Sequence, residues 1–149
     1  GPNDPHHDQP TYAVDGPING RQPLPNSKWI SRDPSIVLVP GLYIFTFCFC
    51  VDDQPVTDIP LNQKFSFKSL NVLSSHTLVR GYMNNSGPLF GNGTQFTFDP
   101  QNPSHAEIND YIVAGVNCLN IMVSKNTPDL GPLGISVTGL VSGISCCSS

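Results

Sequence analysis

The eleven residues at 41–51, GLYIFTFCFCV, constrain the fold more than any other part of the chain. Aromatic and β-branched residues are frequent in this run, which contains no proline and no charged residue. Side chains alternate between the two faces of a strand. One face therefore carries Tyr43, Phe45, Phe47, Phe49 and Val51, and the other carries Leu42, Ile44, Thr46, Cys48 and Cys50. Because both faces are apolar, the run predicts a central strand that is covered on both sides.

Further segments typical of strands follow at short intervals along the chain. They lie at 28–32, 35–39, 64–70, 73–83, 94–98, 116–124 and 135–144. Clusters of Asn, Asp, Gly and Pro separate many of them. The pattern predicts an all-β protein, an antiparallel β-sandwich or jelly roll. At most one short helix is expected, near the capping-box pair Ser104 and Glu107, although a strand from Tyr111 onward is the alternative.

Proline spacing suggests how the chain is divided. Residues 1–27 contain six prolines, which block helices and central strands, so this segment is predicted to be a linker or hinge. Gly1 and Pro2 look like the remnant of a cleaved tag, so the chain is interpreted as a fragment of a longer protein. The jelly-roll domain is predicted at 28–145, followed by a Ser- and Cys-rich tail at 146–149.

Low charge restricts the expected partners. Charged residues make up 12% of the chain, and seven Lys and Arg face eleven Asp and Glu. Nucleic acids and anionic membrane surfaces both attract clustered cations, so neither is an expected partner. The uncharged stretch 34–51 is interrupted by Pro40 and Gly41, so membrane insertion is not expected.

The five cysteines form an odd set. A secreted disulfide framework usually has an even number, so Cys48, Cys50 and Cys118 are predicted to be buried thiols that act as small hydrophobic residues. Cys146 and Cys147 are adjacent in the tail and lack the spacing of zinc ligands. This set favours assembly in a reducing compartment.

No motif in the chain assembles a catalytic site. The sequence has no nucleophile elbow and no phosphate-binding glycine loop. His105-Ala106-Glu107 matches half of the zinc deaminase signature, but the two cysteine ligands are missing. The chain is therefore predicted to have no enzyme activity, no cofactor and no metal. Asp52, Asp53 and Asp58 are interpreted as solvated turn residues, with Ca²⁺ ligation as the alternative.

The segment 39–45, VPGLYIF, resembles a strand found in two groups of jelly-roll proteins. One is the protruding domain of small icosahedral RNA virus capsids of the nodavirus-like and tombusvirus-like group. The other is the trimeric complement-like and tumour-necrosis-factor-like ligand domains. The Pro-rich start, the Asn-, Pro- and Gly-rich turns and the odd cysteine set favour the viral group.

The viral resemblance implies a non-enzymatic spike domain on the virion surface, made in the host cytoplasm. Such a domain is expected to form a homodimer or homotrimer through its apolar strand faces and to bind a host receptor or glycan. A free-standing trimeric ligand domain or lectin-like domain is the alternative. Receptor contacts are expected in loops, which tolerate sequence change. The candidate contact residues are Asn84, Asn85, Phe90, Asn92, Gln101 and His105.

Overall fold

The computed structural model describes residues 11–18, 20–31, 40–51, 65–98, 107–126 and 132–143. These ranges contain seven strands and one short helix. The strands are β1 (Tyr12–Val14), β2 (Trp29–Ser31), β3 (Gly41–Val51), β4 (Phe65–Met83), β5 (Phe90–Phe98), β6 (Gly115–Lys125) and β7 (Gly134–Gly143), and the helix is α1 (Glu107–Asp110). The strands named here pair antiparallel throughout, which confirms the predicted all-β class.

The 19-residue strand β4 organises the sheet. One edge of β4 pairs with β5, while the opposite edge pairs first with β7 and then with β6. The resulting order is β1-β2-β7-β4-β6-β3, with β5 beside β4. Irregularities at 67–69 and 78–80 interrupt the register, and such bulges bend a strand.

The sequence predicted two strands where β4 runs without a break. Asn71 and Val72, between the two predicted segments, have strand partners on both edges. Pairing on both sides keeps these residues extended, which a local sequence pattern does not reveal.

The curled sheet packs against itself and forms a sandwich-like core. Phe49 of β3 and Phe67 of β4 meet with ring centroids 5.7 Å apart in an edge-to-face arrangement. These two strands are not neighbours in the strand order, so the contact joins the β3–β6 half of the sheet to the β4–β7 half. The buried core between the halves includes Phe45, Leu70, Val72, Leu119, Ile121 and Val123.

The strand β3 lies at the end of the strand order and not at its centre. It pairs with β6 along its full length without a bulge. Phe45 and Val51 point into the core, whereas Leu42 and Ile44 on the opposite face are 62% and 53% exposed. The prediction of a central strand covered on both sides is therefore wrong. An apolar face predicts that a strand is buried on that side, but it does not show whether the burying surface comes from the same chain.

Part of the predicted Pro-rich linker lies against the sheet. The strand β1 pairs with β2, and β2 pairs with β7. Ile18 and Trp29 are buried, and the Trp29 indole N–H donates a hydrogen bond to the Arg21 carbonyl at 3.0 Å. The described part of the segment 12–27 thus contributes buried surface to the domain. Residues 1–10, the strand predicted at 35–39 and the tail at 146–149 lie outside the described residues.

Candidate functional site

The outward side of β3, β6 and the second half of β4 forms one continuous surface, which we call the outer face. Its position follows from the register of β3 and β6, in which each outward residue of β3 lies opposite an outward residue of β6. The opposed pairs are Leu42 and Ser124, Ile44 and Met122, Thr46 and Asn120, Cys48 and Cys118, and Cys50 and Val116. Arg80 and Tyr82 of β4 lie beside Met122 and Asn120 at its margin.

The outer face is mostly apolar, and several of its side chains are exposed. Leu42, Ile44 and Val116 are 62%, 53% and 67% exposed. Lys125 is the one Asp, Glu, Lys or Arg residue within β3 and β6, and it is buried. The part of the outer face on these two strands therefore carries no carboxylate, ammonium or guanidinium group. Exposed apolar residues gathered on one face of a sheet are typical of an interaction site, although the Thr46–Asn120 pair lies between the two apolar ends of this face.

A disulfide bond crosses the outer face. It joins Cys48 of β3 to Cys118 of β6, which are direct cross-strand partners with Cα atoms 4.1 Å apart. Cys50 is also disulfide-bonded. The prediction that these three cysteines are buried thiols is therefore wrong, and Cys48 is exposed. The odd cysteine count suggested thiols, but the pairing depends on a register between residues that are 70 positions apart.

The disulfide also removes the reason for expecting assembly in a reducing compartment. Disulfides form and persist mainly in oxidising environments. The reducing-compartment argument rested on unpaired cysteines, and Cys48, Cys50 and Cys118 are all paired.

Asn84, a candidate contact residue, ties the β4–β5 turn to β6. Its φ angle is 52°, a left-handed conformation that Asn tolerates in turns. Its Oδ1 accepts a hydrogen bond from the Cys118 N–H at 2.9 Å. Its Nδ2 donates to the Tyr111 carbonyl at 2.6 Å and to Asn117 Oδ1 at 2.9 Å. The Asn84 amide is thus engaged inside the protein.

Asn117 is the buried centre of the same hydrogen-bond network. Its relative exposure is 0%, and it shares the inward row of β6 with the buried residues Leu119, Ile121, Val123 and Lys125. Its Oδ1 accepts from the Val113 N–H at 2.8 Å as well as from Asn84. Its Nδ2 donates to the carbonyls of Val113 and Gly115 at 2.8 and 3.1 Å. The sequence analysis did not identify this residue. The feature that could have indicated it is a polar side chain in register with Leu119, Ile121 and Val123 in an alternating strand.

Phe90, considered as an apolar anchor for a partner, packs into the core. Its ring stacks on Phe96 with centroids 4.1 Å apart and planes 9° from parallel. The ring also lies over its cross-strand partner Gly81, where a Cβ atom would stand 2.1 Å from it. Gly81 therefore makes room for the ring, and Phe90 contributes to core packing rather than to an exposed contact.

The remaining candidates fall into two groups. Asn85, in the β4–β5 turn, and Asn92, on β5, are exposed. Gln101, His105 and the acidic residues Asp52, Asp53 and Asp58 lie outside the described residues. The turn therefore leaves Asn85 exposed to solvent, while its neighbour Asn84 holds the turn in place.

Among the described residues, Ser75 and His76 form a hydroxyl–imidazole pair of the kind that serves as nucleophile and base in enzymes. The Ser75 hydroxyl lies 2.7 Å from His76 Nδ1 and accepts a hydrogen bond from the Gly134 N–H at 2.9 Å. Ser75 is 1% exposed, so a substrate cannot reach its oxygen in this conformation. In the described ranges, no three His, Cys, Asp or Glu side chains form a group that could hold a metal ion. No helix within those ranges is long and apolar enough to cross a membrane.

A cavity of about 210 Å³ lies where the two halves of the sheet meet. Phe47, Phe49, Phe67 and Leu119 are among its lining residues. Thr138 contributes the one side-chain hydroxyl of the lining. Ligand sites usually combine apolar walls with several polar groups that fix orientation, so the outer face is the stronger candidate for a functional site.

Comparisons of the chain with protein-family models, with curated proteins and with solved structures find no match. The class of this protein is therefore described from its fold and its outer face alone. The chain forms a curled antiparallel β-sheet whose β3–β6 strands present an exposed, apolar, disulfide-bridged surface.

Proposed function

We propose that this chain is a protruding domain of a viral capsid protein, which works by binding and not by catalysis. The exposed outer face carries this proposal, because a largely apolar surface, uncharged over its β3 and β6 part, suits contact with another protein. The resemblance of residues 39–45 to a strand of capsid protruding domains supplies the viral part of the proposal. Asn85 and Asn92 are the exposed candidates for contact with a host receptor or glycan.

A second copy of the chain is the partner that the outer face fits best. β3 and β6 have 11 residues each, which gives a face about 36 Å long, and three neighbouring strands are about 14 Å wide. Two such faces would cover about 1000 Å² in total, which reaches the lower limit for a specific interface. A two-fold axis brings the same surface of each copy together, and the β3–β6 part of the face has no side-chain charge to repel its own copy.

The oligomer prediction is tested with two glutamate variants. Ile44→Glu places a charge on the β3 strand of the outer face and is expected to weaken dimerisation at least about tenfold, because a charge is costly to desolvate. Leu140→Glu is the matched control, since Leu140 is 69% exposed and lies on β7, outside the outer face. Sedimentation velocity over a concentration series measures the dissociation constant. A monomeric wild-type chain, or equal effects of the two variants, contradicts the proposed interface.

The capsid function is tested with the longer protein to which the proposal assigns this chain. That protein, expressed in insect cells, is expected to assemble into particles with surface projections in electron micrographs. Deletion of residues 28–145 is expected to leave smooth particles, because the shell forms without the projection. Failure of the intact protein to form particles contradicts the capsid function, whatever the oligomeric state of the isolated domain.

A free-standing trimeric ligand or lectin-like domain is the second candidate. The disulfide between Cys48 and Cys118 favours it, because disulfides are typical of secreted proteins. In that case the intact protein is expected in the culture medium as a trimer and not in particles. The same expression experiment therefore separates the two candidates.

A further inference from the structure

We propose that Asn92 is an N-glycosylation site, at which an oligosaccharide is attached to the side-chain amide. The chain contains two Asn-x-Ser/Thr sequences in which x is not proline, Asn84-Asn85-Ser86 and Asn92-Gly93-Thr94. Such sequences are the acceptors of N-linked glycans. The motif is short and common, so the surroundings of each asparagine decide which of the two can carry a glycan in the folded chain.

The Asn92 acceptor sequence lies at the surface. Asn92 is exposed on β5, and its side chain forms no hydrogen bond with the described residues. Its neighbours Gly91 and Gly93 have no side chains that could crowd the amide. The Thr94 hydroxyl accepts a hydrogen bond from the Arg21 guanidinium at 3.1 Å in an exposed position. An oligosaccharide on Asn92 is therefore compatible with the fold.

The Asn84 acceptor sequence is engaged in the fold. Asn84 Nδ2 donates to two acceptors, the Tyr111 carbonyl at 2.6 Å and Asn117 Oδ1 at 2.9 Å. A sugar on Nδ2 replaces one of its two hydrogens, so one of these bonds is lost. The Ser86 hydroxyl is also engaged, because it accepts from the Met83 N–H at 2.9 Å. A chain that is glycosylated at Asn84 is therefore expected to fold less stably.

The disulfide bonds are a second, independent observation. N-linked glycans are attached in the lumen of the secretory pathway, which is an oxidising compartment where disulfides form. The Cys48–Cys118 bond and the disulfide-bonded state of Cys50 suit a chain that passes through that lumen. A secreted ligand domain and a capsid protein that is made on this route both meet the requirement. Asn92 lies on β5, outside the outer face, so the proposal does not depend on dimerisation.

The transfer step is a substitution at the first sugar of the oligosaccharide, and the co-reactant is an oligosaccharide linked to a lipid diphosphate. The Asn92 Nδ2 atom forms a new bond to C1 of that sugar, and the bond between C1 and the diphosphate oxygen breaks. The electron pair of the broken bond leaves with the lipid diphosphate, and Nδ2 releases one proton to solvent. The step needs no oxidant and no reductant.

The test is expression of the chain behind a cleavable signal peptide in cultured mammalian cells. Protein from the medium is expected to carry one glycan, which is lost on treatment with peptide N-glycosidase. This enzyme converts the modified asparagine to aspartate, so peptide mapping is expected to find Asp at position 92 and Asn at position 84. The protein retained in the cells is mapped in the same way, and position 92 is expected to be modified there as well.

Three results overturn the proposal. The first is an unmodified Asn92 in the medium and in the cells. The second is a secreted, folded chain whose glycan lies mainly on Asn84. The third is an unmodified Asn92 in the intact longer protein when that protein is expressed without an added signal peptide.

Two variants of Thr94 separate the acceptor motif from other effects at this position. Thr94→Ala removes the hydroxyl and is expected to abolish the glycan, although Asn92 itself is retained. Thr94→Ser is the matched control, because it keeps a hydroxyl and is expected to retain the glycan. The contact with Arg21 is exposed, so both variants are expected to fold, and circular dichroism checks this. Equal glycosylation of the two variants contradicts the proposed site.

Discussion

Replacement of Asn117 by leucine is expected to lower the free energy of unfolding by about 4 kcal/mol. The leucine side chain fills a similar volume but offers no hydrogen-bonding atoms. The N–H and carbonyl of Val113 then lose their side-chain partner, and the Asn84 Nδ2 loses one of its two acceptors. These bonds are partly buried, and a polar group that loses its partner where water does not fully replace it costs about 1–3 kcal/mol. Urea denaturation followed by tryptophan fluorescence measures the change.

The matched control for this prediction is Asn120→Leu. Asn120 belongs to the same strand but lies on the outer face, where its Oδ1 accepts one hydrogen bond from Thr46 at 2.8 Å in an exposed position. Loss of that bond is expected to cost at most about 1 kcal/mol, because water replaces it. If both variants lose the same amount of stability, the buried network around Asn117 does not have the role assigned to it.

Removal of the disulfide by the double substitution Cys48→Ser and Cys118→Ser is expected to cost about 4 kcal/mol. The bond joins residues separated by 70 positions, so its loss increases the conformational entropy of the unfolded chain substantially. The native ladder does not depend on the two sulfur atoms. The double variant is therefore expected to keep the wild-type circular dichroism spectrum while unfolding at a lower urea concentration.

Single substitutions provide the control for the disulfide prediction. Cys48→Ser and Cys118→Ser alone each break the same bond, so each is expected to lose nearly as much stability as the double variant. Mass spectrometry under non-reducing conditions checks that the remaining cysteine has not formed a new disulfide. A double variant as stable as the wild-type chain contradicts the constraint assigned to this bond.

The strand content was predictable because it depends on local patterns. The bounds of β3 follow from the aromatic and β-branched run, which begins after Pro40. The short helix was expected near Glu107, where α1 begins. Alternation and turn residues act within a few positions of the chain, so a single sequence reveals them, whereas Ser104 of the expected capping-box pair lies outside the described residues.

The position of β3 in the sheet was not predictable in the same way. Alternation assigns Phe45 and Ile44 to opposite faces, but both residues are apolar, so the sequence does not say which one points into the core. The pairing of Cys48 with Cys118 depends on the register of β3 and β6. That register is set by packing between distant segments, which no local pattern encodes.

The candidate site was predictable only in part. The turn at Asn84 and Asn85 was located correctly, but the structural role of Asn84 depends on contacts with Tyr111, Asn117 and Cys118. Phe90 was judged by its place between turn residues, whereas its cross-strand partner Gly81 leaves space that draws the ring inward. Both roles arise from neighbours across the sheet and not from neighbours in sequence.

The strand β4 pairs with β7 in its own half of the sheet and with β6 in the other half, so the backbone pairing of both halves depends on it. Loss of the pairing between β4 and β7 would destabilise the same β4 backbone that pairs with β6. The two halves are therefore expected to rise and fall in stability together, as one cooperative unit. This shared strand means that a load applied at either half is expected to spread through the described part of the molecule.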